Sequence, residues 1–168
     1  GGIFYRARYP DGIWSSVRQI FSGFGYSYDR QRLVTARDGT LHAFWTWAYS
    51  GYYASKPPGG AWSAPVALSQ ARGPSDLTVD SQGTIHLISR AGLASDGKTY
   101  YRKKPLGGPW TNPIVIHEDY HSYPTLVVDR FDRVHTVWES WNSIKYQTSE
   151  SVSTSALVSL SQVVSIPP

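Results

Sequence analysis

Cysteine and methionine are both absent from the 168 residues. Without cysteine, disulfide staples, thiolate zinc sites and cysteine nucleophiles are excluded. With no methionine even at position 1, the chain is expected to be a processed product or a piece of a longer polypeptide. Charge is also scarce: Asp, Glu, Lys and Arg make up 17% of residues, below the roughly one quarter usual for globular chains. The net charge of +4 is spread along the sequence, with no block of about five or six like charges. Nothing there has the electrostatic footprint of a nucleic-acid binder. No apolar run approaches the roughly 18 residues of a membrane span. The opening GGIFYRARYP also lacks a basic leader followed by an apolar stretch. No stretch sustains a 3.6-residue period, so helix is not expected.

What the chain does have is aromatic residues, 14% of the total with 7 Trp and 12 Tyr, and they recur. Trp14, Trp62 and Trp110 are 48 residues apart, as are Tyr5, Tyr53 and Tyr101, and a fourth copy begins at Tyr146. His42, His86 and His135 follow a second register spaced 44 and 49. Each copy reads as four short extended runs separated by turn residues. In the clearest, LTVD at 77–80 leads through Ser81-Gln82-Gly83 into TIHLIS at 84–89. TYYRK at 99–103 then leads through Pro105-Leu106-Gly107-Gly108 into the run from Trp110 to Ile116. Four antiparallel strands in about 40 to 50 residues predict an all-β chain of β-propeller blades. Leu41, Ala43 and Trp45 alternate with His42 and Phe44, so neither strand face is wholly polar and each sheet expects a neighbour on both sides.

The turns carry a resemblance. SKPPGGAWSAP at 55–65 resembles the Asp-box of sialidase-like, BNR-type propellers, Ser-x-Asp-x-Gly-x-x-Trp, through Ser55, Gly59 and Trp62, with Pro57 in place of the Asp. The copy at Trp110 keeps Gly107, and that at Trp14 has Asp11-Gly12 shifted by one place. VDSQGTIH at 79–86 and VDRFDRVHTVW at 128–138 resemble a second motif of such blades. The resemblance implies one propeller segment over 1–168. It would comprise an outer half-blade at 3–21, blades at 26–68, 74–116 and 123–160, and a tail at 161–168. Three and a half blades fall short of the roughly four to eight of a closed ring. The chain is therefore expected to be part of a longer propeller or to be completed by further blades from a second subunit.

Candidate site residues concentrate in the segments that differ between copies. The loop 117–124 packs His117, Glu118, Asp119, Tyr120, His121 and Tyr123 together, and the same end is expected to receive Trp47, Tyr49, Arg30, Arg72, Arg90 and Trp141. Aromatic faces beside carboxylates and imidazoles suit a sugar, which suggests a secreted or cell-surface, lectin-like recognition module for a carbohydrate or protein ligand. A lyase or glycosidase reading makes His117, Tyr120 and His121 acid–base candidates, with Arg30, Arg72 or Arg90 neutralising a uronate. A third reading is an assembly subunit that completes a propeller with a partner chain. His117, Asp119 and His121 would share one face if extended, yet a loop need not be extended, and neither metal nor cofactor is assigned. The family's Arg-Ile-Pro is absent, since Ile166-Pro167 follows Ser165, and this leans against an enzyme in this chain alone. The repeated histidines read as structural.

Overall fold

A computed structural model describes residues 1–23, 31–73, 75–90, 97–118, 123–140 and 143–149, together with the backbone of 160–166. The described residues form strands and turns only. β1 (Gly2–Tyr5) and β2 (Arg18–Ser22) make a two-stranded antiparallel sheet. Three four-stranded sheets follow. The first contains β3 (Arg32–Thr35), β4 (Leu41–Trp47), β5 (Ser50–Lys56) and β6 (Val66–Leu68). The second contains β7 (Ser75–Val79), β8 (Ile85–Arg90), β9 (Lys98–Lys104) and β10 (Ile114–Glu118). The third contains β11 (Thr125–Val128), β12 (Val134–Ser140), β13 (Ser143–Ser149) and β14 (Leu160–Ile166). In each, every strand pairs with its neighbour in sequence, the arrangement that short turns impose on consecutive strands.

The alternation of apolar side chains explains how the sheets cover one another. From β4, Ala43, Trp45 and Trp47 face the two-stranded sheet and pack with Ile3 and Phe21. Phe44, on the opposite face, joins Tyr53, Leu68 and Ala71 against Leu77, Ile85 and Leu87 of the second sheet. One residue further along β8 the side chain points the other way. Ile88 accordingly joins Tyr101 against Leu126 and Val134 of the third sheet.

Asp76 ties the first strands of the three larger sheets. It accepts the Arg32 Nε–H at 2.6 Å on Oδ1, and on Oδ2 the Leu126 amide at 3.1 Å and the Thr125 hydroxyl. Each partner donates to a carboxylate whose side chain is only 14% exposed, where a charge-assisted bond is strong.

The propeller architecture and the sialidase-like resemblance require correction. Among the described residues the four sheets are separate and are not closed into a ring of radial blades. Contacts between the larger sheets run from β3 to β7 and from β7 and β8 to β11. The physical reason is that a 48-residue period specifies strands, turns and the cover each sheet needs from the next. All of these are met by a linear succession of sheets, whereas a ring additionally requires the first and last to meet.

Candidate functional site

The residues expected to bind ligand are placed as follows. Trp47 ends β4 and is buried, its ring 5.6 Å from that of Phe21. Tyr49 is exposed in the turn to β5, where Ala48 and Tyr49 take φ of 46° and 66°. Left-handed backbone at two non-glycine residues costs about 1–2 kcal/mol each. Arg72 and Gly73 donate their amides to the Arg90 carbonyl at 3.0 and 2.9 Å, which brings the backbones of the two predicted arginines together. Arg90 and His117 both lie opposite Thr99, so they share a row across the second sheet. The His117 ring stacks on Trp138 of the third sheet at 4.2 Å and 5°, inside the join between sheets. Glu118 receives the Lys98 ammonium at 3.1 Å, and Tyr123 is exposed just before β11. Arg30, Asp119, Tyr120, His121 and Trp141 lie outside the described residues. Among the described residues no cluster of His, Asp and Glu is arranged to hold a metal.

The repeated histidines are tied within their sheets. His42, His86 and His135 meet the hydroxyls of Tyr53, Tyr101 and Tyr146 through Nδ1 at 2.7, 2.6 and 2.6 Å. His86 and His135 also place Nε2 3.1 Å from Asp80 and Asp129. An Nε2–H donated to the carboxylate leaves Nδ1 to accept the tyrosine O–H, which defines one neutral tautomer. Burial works to raise the Asp80 carboxyl, but the bonds from His86 and Thr84 prevail and hold it below the usual carboxylate value. Asp129 is likewise held low by Arg133, His135 and Phe131 against the opposing effect of burial. Burial pushes the Tyr101 phenol up, and the Asp80 charge adds to this.

A site that the sequence reading did not find lies at the opposite end of the sheets. A trough of about 480 Å³ runs between the two-stranded sheet and the turn joining β5 to β6. Tyr5, Tyr9 and Trp62 supply aromatic surface, Arg18 and Lys56 supply charge, and Gly59 and Gly60 lie on the turn side. Gly59 has φ +69°, and a Cβ there would meet nothing within 4 Å. Tyr5 is set edge-on to Trp62, ring centres 5.3 Å apart at 74°, and Tyr53 meets Trp110 of the next repeat in the same way at 5.1 Å and 86°. The recurrence of Tyr and Trp in one register was the available signal. Their meeting across two sheets is a tertiary fact.

The whole turn-bearing end has one electrostatic character. Its carboxylates are occupied by its own turns. Asp11 accepts the Ile13 amide, Asp38 the Thr40 amide and hydroxyl, and Asp80 the Gln82 and Thr84 amides. Asp129 accepts the Phe131 and Arg133 amides, and Asp132 the Ser81 amide and hydroxyl. Arg133 pairs with Asp129. Arg18, Arg37, Lys56, Lys103 and Arg130 lie at this end with no carboxylate within ion-pair distance among the described residues.

Without a ring there is no propeller recognition face. The carbohydrate-recognition reading therefore loses its geometric basis, as do the lyase or glycosidase fragment and the propeller-completing subunit. Compared with known proteins, the chain matches no protein-family model and no curated protein.

Proposed function

We propose that the chain is a non-covalent binding module that engages an acidic protein segment through its turn-bearing end. The observation that carries this reading is the separation of charge roles there. The carboxylates are consumed as turn caps, while Arg37, Lys103 and Arg130 are exposed and without ion-pair partners among the described residues. A capping bond holds each carboxylate in its turn without removing its charge, and the surface is positive because the six cations named at this end outnumber its five capping aspartates. Such a surface steers and orients an anionic partner.

Poly-L-glutamate is the probe, titrated at low and high salt by calorimetry. Binding at low salt that weakens with added salt is expected. Arg37→Glu with Lys103→Glu and Arg130→Glu should reduce affinity at least about tenfold, since each reversal replaces attraction by repulsion. Arg72→Glu, at the other end, should leave it unchanged. Absence of binding at low salt, or an equal loss in Arg72→Glu, would overturn the reading.

A further inference from the structure

The trough beside the two-stranded sheet differs from the rest of the turn-bearing end in combining cations with aromatic walls. Tyr9 is 52% exposed, and Tyr5 and Trp62 form the edge-to-face pair already described. Arg18 stands opposite Tyr5 in the ladder between β1 and β2, and Lys56 closes β5. Among the described residues no carboxylate lines the trough. The hydroxyl of Tyr5 also differs from its counterparts. The hydroxyls of Tyr53 and Tyr101 are bonded to His42 and His86, whereas no described residue bonds that of Tyr5.

The geometry points to a pocket for an aryl anion, a planar ring carrying a phosphate, sulfate or carboxylate. The ring would lie against Tyr9 and the Tyr5–Trp62 pair, where aromatic contacts add to simple burial. The anionic group would receive the Arg18 guanidinium, the Lys56 ammonium and the Tyr5 hydroxyl. Charge-assisted bonds of this kind are about twice as strong as neutral ones. A volume of about 480 Å³ falls in the roughly 300–1,000 Å³ range of small-ligand sites. The inference rests on the reading of this end as an anion-binding surface and specifies one subsite within it. An aryl anion has two sources, a free small molecule or a phosphorylated or sulfated tyrosine of the bound segment.

Phenyl phosphate is the first probe, followed by tryptophan fluorescence and calorimetry, with benzyl alcohol and inorganic phosphate as controls lacking charge or ring. Phenyl phosphate should bind more tightly than either control. Arg18→Ala and Lys56→Ala should each weaken it about tenfold, and Tyr5→Phe should weaken it less. Tyr9→Ala, an exposed position, tests the ring contact without disturbing the fold. Equal binding of phenyl phosphate and inorganic phosphate, or insensitivity to both cation variants, overturns the pocket. If poly-L-glutamate still binds in that case, the pocket alone is lost, and if neither probe binds the reading of the whole end falls with it. A phosphotyrosine in an acidic peptide that binds more tightly than free phenyl phosphate assigns the ligand to a protein segment. Equal affinities assign it to a small molecule, and both results support the pocket.

Discussion

The sheets β3–β6 and β7–β10 have the same strand order and the same His–Tyr bond, but they differ in where the turn between their first two strands carries its acid. In the second sheet Asp80 donates its amide to Thr84, its carbonyl receives Gly83, and its carboxylate reaches His86. In the first, Ala36 makes the same two backbone bonds with Thr40 and Gly39, with no carboxylate to offer. The acid of that turn is Asp38, two residues on, and its oxygens bond Thr40 instead. The third sheet follows the second, with Asp129 beside His135. A turn can thus keep its backbone while losing its electrostatic connection to the strand that follows. The consequence is visible at His42, where burial lowers the imidazole's pKa and the more distant Asp38 only partly opposes it.

The largest effect should come from breaking the complete arrangement. Asp80→Ala leaves the Gln82 and Thr84 amides and the His86 Nε2 without their acceptor. The loss should be about 2–3 kcal/mol in urea unfolding, the range for stranding partly buried polar groups. Asp38→Ala, at an exposed turn that does not reach its histidine, should cost clearly less. Equal losses would show that the carboxylate–imidazole bond contributes nothing beyond the turn cap.

An intermediate effect separates the third turn from the other two. Asp132 occupies with φ 60° the place held by Gly39 and Gly83, and it bonds Ser81 of the neighbouring sheet. Asp132→Gly relieves the left-handed backbone but loses the bonds, so stability should change little. Asp132→Ala keeps the strain and loses the bonds, and should be about 1 kcal/mol less stable than Asp132→Gly. Comparison of the two melting temperatures checks this.

The smallest effect is a pH dependence. Because the folded His42 has a pKa below 6.5, the unfolded chain takes up that proton more readily. Its contribution is therefore complete above this value and is lost as pH falls through it toward the folded pKa. Asp80, lowered from 3.8, contributes above that value and loses its contribution only as pH falls below it. Ala36→Asp, which copies the second turn into the first, should raise the His42 midpoint followed by NMR and flatten stability between neutral pH and pH about 5. An unchanged midpoint would show that the introduced carboxylate does not reach the ring.

Much of the local structure was legible. β7, β8 and β9 fall within one or two residues of the runs read from LTVD, TIHLIS and TYYRK, because β-branched and aromatic residues between Asp, Gly and Pro turns leave little alternative to a strand. The start of β10 was less legible. Trp110 was read as the first residue of that strand, but the strand begins at Ile114 and Trp110 packs on Tyr53. A lone aromatic carries no period by which to tell strand from packing. His117 was legible as an unusual residue in an unusual loop. That its ring lies flat on Trp138 depends on a strand of another sheet.

Residue order alone implied that the chain is all-β, where most of its strands and turns lie, and that both faces of a sheet need cover. Those properties follow from neighbours along the chain and from the two-residue alternation of side chains. Packing between the sheets is what leaves them separate, joins three of them through Asp76, and brings Tyr5, Arg18, Lys56 and Trp62 to one trough. Ring closure and inter-sheet sites bring together residues that share no local pattern, so no repeat, however regular, specifies them in advance.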